Sequence, residues 1–149
     1  MVAVARAALV AAALALVVLG VSRHAAHSAC QDARFDALSI TLGHRPPAQA
    51  GGVAQRLTAH CRDVDELVNG AVAFTRVGAV APARRLAELA VRKEPQRRNS
   101  WLALNIVLQR EGDASGAARA LARARALDPA GIGAGGRGSL NRSSGRSTR

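Results

Sequence analysis

Residues 100–129 read SWLALNIVLQREGDASGAARALARARALDP, and the fold class turns on this stretch. Ser100 to Arg110 is a run of good helix formers with large apolar side chains at helical intervals. Glu111-Gly-Asp-Ala-Ser115 interrupts the run, and glycine readily takes the positive φ that closes a helix. Gly116 to Leu127 resumes it. Asp128-Pro129 stops it, because the residue before proline is pushed out of helical geometry. The stretch is therefore one helical hairpin with a defined end.

The same punctuation lies upstream. Pro95 and Pro129 stand 34 residues apart, each behind an acidic residue, Glu94 and Asp128. Gly78 and Gly112 share that spacing, as do Ala90 and Ala124. An internal period of this size marks a stack of small units, each too small to bury its own core. The upstream unit reads as a helix over Val64 to Val77, a turn at Gly78, and a helix over Pro82 to Lys93. Pro82 suits the first turn of that second helix.

These two units, residues 62–95 and 96–129, resemble the tetratricopeptide repeat (TPR). In the second unit the matching residues are Trp101, Leu104, Leu108, Gly112, Ala117, Leu121, Ala124 and Pro129. Leu108 stands where an aromatic is usual, and Asn105 where a small residue is usual. In the first unit Leu67, Gly70, Ala71, Phe74, Gly78, Ala83, Ala87, Ala90 and Pro95 match more loosely. Gly70 occupies a position that is usually bulky, and Ala87 is smaller than the pattern expects. The resemblance implies that Ala71, Ala83, Ala90, Ala117 and Ala124 let helices cross closely. Phe74, Trp101, Leu104 and Leu108 would fill the gaps as core.

The resemblance also implies a concave face, lined by the first helix of each unit, that takes an extended peptide or a helix. Asp65, Val68, Asn69, Val72 and Thr75 would line it, followed by Asn99, Leu102, Ala103, Ile106 and Gln109. Val68, Val72, Leu102 and Ile106 stand where the carboxylate-gripping version of the family carries Lys, Arg and Asn, so no carboxylate clamp is expected. A mildly apolar groove suits an amphipathic helix or an apolar peptide. The competing reading for the first unit is contact with the chain's own preceding hairpin.

That hairpin is expected over residues 28–61, as a degenerate first unit. Helical spacing of Phe35, Leu38 and Leu42, and of Val53 and Leu57, predicts two helices, Gln31 to Leu42 and Val53 to His60. Gly43 to Gly52, with paired prolines and glycines, breaks between them. Antiparallel packing would bring Cys30 and Cys61, the only two cysteines, to the same end. Two readings stand: a disulfide, which implies an oxidising compartment, or two independent thiols. The histidines and cysteines show no paired-ligand spacing, so no metal is expected.

Composition agrees with helices. Of 149 residues only 2% are aromatic, which leaves Ala, Leu and Val to build the core and predicts an all-α fold. The net charge of +11 is carried by arginine, with Lys93 the single lysine. It reads either as the arginine and alanine bias of GC-rich coding or as attraction to anionic lipid, cell-wall polymer or nucleic acid. Stacking aromatics and a nucleic-acid-binding motif are missing, which disfavours nucleic acid.

The segment 1–27 reads as an address. Residues 7–21, after Arg6, carry no polar side chain, so they suit a signal sequence or, with Val2 to Ser22, a spanning anchor. Cleavage after Val18-Leu19-Gly20 and lipidation of Cys30 behind His27-Ser28-Ala29 are the competing outcomes. An uncleaved single-pass anchor in the cytoplasmic membrane is the expectation. Arg23, Arg34 and Arg45 after the segment outnumber Arg6 before it, which does not favour an outside domain. A disulfide favours one. The tail, residues 130–149, is rich in Gly, Ser and Arg and reads as disordered.

Catalysis finds little footing. Asp63, Asp65 and Glu66 open a helix, where carboxylates complement the dipole. The glycines of residues 131–138 lack a preceding strand. The sequence thus predicts a non-enzymatic, cofactor-free scaffold or assembly factor of the cell envelope, with a protein or peptide partner. A basic surface for nucleic acid or anionic envelope polymer is the alternative.

Overall fold

Alanine- and leucine-rich segments punctuated by Gly and Pro fold as helices throughout the computed structural model. It describes residues 2–129; within the first helix, side chains are described at residues 14–18 and from residue 27 onward. Six α-helices and one short 3-10 turn account for the order, with no strand among the described residues. They are α1 (Val2–Thr41), α2 (Ala50–His60), α3 (Val64–Arg76), α4 (Val80–Lys93), α5 (Arg98–Glu111) and α6 (Ala114–Leu127), with the 3-10 turn at Pro47–Gln49. The expected all-α class is what the chain adopts.

Consecutive helices pair as hairpins, α1 with α2, α3 with α4 and α5 with α6. α1, α3 and α5 then lie side by side in one layer, while α2 packs on α4. The second and third hairpins keep the sequence period. They begin at Val64 and Arg98 and end at Lys93 and Leu127, both offsets being 34 residues. Gly78 and Gly112 close α3 and α5 with φ of 77° and 85°, conformations that a side chain with a Cβ resists.

Two helix starts, those of α3 and α6, are capped by side chains. Asp63 accepts from the Asp65 amide at 2.9 Å, so α3 begins on a capping carboxylate. Asp113 does the same for α6, accepting from the Gly116 amide at 2.8 Å and from the Ser115 hydroxyl at 3.0 Å. The Gly116 amide first, then Ser115, holds its carboxyl below the usual range. Pro82 sits at the third position of α4. No intrahelical partner is required there, so its missing N–H costs nothing.

The main core runs continuously from α1 to α5. Leu57 from α2, Leu67 and Phe74 from α3, and Leu86 from α4 are fully buried, as is Val107 from α5. Each large side chain contributes roughly 1.5–3 kcal/mol through burial. Ala71, Ala83, Ala90, Ala117 and Ala124 are buried at the helix crossings, as their small size leads one to expect.

Several expectations change. Helix α1 passes without a break through residues 27–31, and α2 starts at Ala50, three residues before Val53. Phe35, Leu38 and Leu42, whose spacing predicted the helix, are 72%, 52% and 61% exposed. Ala33, Ala37 and Ile40 on the same helix are buried instead. The small stripe permits close helix approach, and the large one is turned outward. Trp101 is only half-buried, its indole N–H donating to the Pro95 carbonyl at 2.8 Å.

Among the described residues no helix is long and apolar enough to cross a membrane. The expected anchor, residues 7–21, falls mostly where side chains lie outside the described residues, and the tail 130–149 lies outside them altogether.

Candidate functional site

Residues Cys30 and Cys61 are joined, with the sulfurs 2.07 Å apart and the Cα atoms 5.0 Å apart. The bond pins the last third of α1 to the α2–α3 junction. Cys30 is therefore not a free thiol for lipid attachment. Below this pin α1 and α3 lean on each other, and Arg34 Nε meets Glu66 Oε2 at 2.8 Å across them. At the other end of the hairpin, Asp36 receives both Arg45 and Arg56, tying α1 to its turn and to α2.

Between those ties the two helices leave a hollow of about 660 Å³. Phe35, Leu38 and Thr41 line it from α1, and Asn69, Gly70, Val72 and Arg76 from α3, with Leu57 at the floor. A second hollow of about 360 Å³ is lined by Thr75 and Arg76 from α3 and Ile106, Gln109 and Arg110 from α5. Arg76 lines both. Sharing Arg76, the two make one shallow trough across α1, α3 and α5, with Phe35 and Leu38 and the Arg34–Glu66 pair at its α1 end and Arg76 and Arg110 at its α5 end.

Polar groups of the trough differ in how far they are already engaged. The Thr75 hydroxyl donates to the Ala71 carbonyl at 2.7 Å, so its proton is taken. Arg34 is neutralised by Glu66. Arg76 and Arg110 are exposed and have no carboxylate partner among the described residues. Ile106 is 41% exposed beside them.

The expected groove residues divide. Asn69 and Val72 line the first hollow, and Thr75, Ile106 and Gln109 the second. Val68 and Leu102 are half-buried and line neither hollow, nor does Asn99, which is exposed near the start of α5. Ala103 is a correction: at 1% exposure it belongs to the core, because α5 turns that face onto α3 and α4. Asp65 is also turned away, bonded to Arg97 at 2.6 Å in the junction before α5.

Sequence reasoning missed the α1 wall. The spacing of Phe35, Leu38 and Leu42 was legible, but a helical stripe of large apolar residues reads first as core. The discriminating signal was the second stripe, Ala33, Ala37 and Ile40, whose small members fit a close crossing. Arg76 and Arg110 carried no such signal; an arginine in an arginine-rich chain does not stand out.

Among the described residues no three His, Cys, Asp or Glu side chains converge as a metal site would need. The Ser100 hydroxyl has no hydrogen-bond partner among the described residues and is sealed in the core. The trough offers apolar surface, the Asn69 and Gln109 amides, and the Arg76 and Arg110 guanidiniums. Comparison with protein-family models, curated proteins and solved structures finds no match to the chain.

Proposed function

We propose that this chain is a membrane-anchored, TPR-like scaffold or assembly factor that recruits a protein partner through the trough across α1, α3 and α5. One observation carries the reading: Phe35, Leu38, Leu42 and Ile106 are exposed large apolar side chains, three of them lining the hollows. An exposed apolar patch beside a concavity is the usual mark of a recognition surface. The 34-residue offset between the hairpins supports the repeat assignment. The Cys30–Cys61 bond supports a repeat domain outside the cytoplasm, with residues 7–21 as its anchor. The chain acts by binding and performs no chemistry of its own.

A second reading has its own observation. Arg119 and Arg123 are exposed one turn apart on α6, Arg123 with no ion pair among the described residues and Arg119 with only the more distant Asp113 carboxylate acting on it. That surface suits an anionic polymer of the envelope or nucleic acid.

Purification of the full chain from its native membranes in mild detergent separates the two. The comparison is with Leu38→Asp/Ile106→Asp, both at exposed positions, and with Arg119→Glu/Arg123→Glu. A single protein retained by wild type and by the α6 variant, and lost from the trough variant, is the expected outcome. Capture of salt-sensitive polyanions alone, lost from the α6 variant, would assign function to the basic surface instead.

A further inference from the structure

Resting on the groove reading above, we infer that the segment bound in the trough is an acidic amphipathic helix, seated apolar face down with carboxylates over Arg76 and Arg110. The walls of the trough are helices whose backbone groups are engaged within them, so an extended peptide would find no sheet edge to pair with. A helix arrives with its own backbone satisfied and needs only an apolar stripe to bury. The span fits one. From α1 to α5 is two helix spacings, roughly 16–20 Å, which a helix of about 11–13 residues covers.

Charge decides the rest. Arg34 is spent on Glu66 at the α1 side, whereas Arg76 and Arg110 converge on the second hollow without a carboxylate partner among the described residues. Two unopposed guanidiniums beside an apolar surface favour a ligand carrying Asp or Glu along one edge and repel one carrying Lys or Arg. The same argument excludes the chain's own tail. Residues 130–149 carry four arginines and no acidic side chain. A second copy bound trough to trough would set these arginines against each other.

The test is selection on the full chain in detergent, at physiological ionic strength. The probe is a displayed library of 16-residue helices with a fixed apolar stripe and flanks drawn from Glu, Lys, Gln and Ser. Glu-flanked helices should be enriched. Their affinity should fall about tenfold or more with Arg76→Glu/Arg110→Glu. Arg119→Glu/Arg123→Glu changes the net charge equally and should leave affinity unchanged. Variants are compared only if they keep the wild-type melting transition. Enrichment of Gln- or Lys-flanked helices that still depends on Leu38 would overturn the acidic assignment and leave the groove reading standing. Helices indifferent to Leu38→Asp would remove the groove reading itself. Self-association in sedimentation that Leu38→Asp abolishes would make the occupant a second copy and overturn the proposal.

Discussion

Glycine 70 shows how a single position joins the core to the trough. A Cβ built there would lie 2.9 Å from Leu57 Cδ1 and 2.9 Å from Leu86 Cδ1. Both leucines are fully buried, so neither has room to swing aside. At Gly70 the repeat pattern leads one to expect a bulky side chain, and here Leu57 and Leu86 occupy that volume from the neighbouring helices. Overpacking typically costs about 1–3 kcal/mol, offset by about 1 kcal/mol of helix propensity gained over glycine. Gly70→Ala should therefore destabilise by about 1 kcal/mol in urea titration, and Gly70→Val by more. An alanine variant as stable as wild type would show that the leucines relax freely. The residue pattern disclosed that Gly70 was unusual. It could not disclose why, because the reason sits on two other helices.

Helix α1 is the element on which the site depends most. It supplies the trough wall, and its hold on the rest runs through the Ala33, Ala37 and Ile40 stripe and the Cys30–Cys61 bond. The bond closes a loop across a separation of 31 residues, for which chain-entropy reasoning gives about 3–4 kcal/mol of stabilisation. Reduction should lower the unfolding free energy by that order. Groove binding should weaken under reductant before the other hairpins lose helicity by circular dichroism. Identical urea midpoints with and without reductant would mean that packing alone holds α1. Both faces of α1 were visible in the sequence as helical stripes. Which one faced inward was not, because the choice depends on how closely α2 and α3 approach. Small side chains permit that approach, and hydropathy does not score it.

Across the whole molecule the packing is uneven. One continuous core joins α1 through α4 and reaches Ala103 and Val107 on α5. The α5–α6 hairpin is sealed by a smaller cluster of Leu108, Ala117 and Ala120, flanked by Trp101 and Leu104. α6 sits at the end of the stack with one neighbour, α5, among its substantial contacts. In a linear stack an end unit opens more readily than the interior. Hydrogen exchange should find α6 amides exchanging well before those of α3 and α4. Uniform protection would show that the array unfolds as one unit. The stack itself was legible at 34-residue spacing because Gly78, Gly112, Pro95 and Pro129 act locally. The trough was legible only on α3 and α5, where the repeat pattern applies.

The unbroken course of α1 from Val2 to Thr41 has a mechanical meaning. A continuous helix acts as a shaft, turning about 100° and rising about 1.5 Å with each residue. Under the proposed anchoring, Phe35 stands some 20 Å along that shaft from Val21, and its bearing around the axis is fixed with respect to the bilayer. The trough then has a set height and compass direction instead of roaming on a tether. A segment docking there would have to present itself at that elevation, on that side, with no linker to compensate for a mismatch.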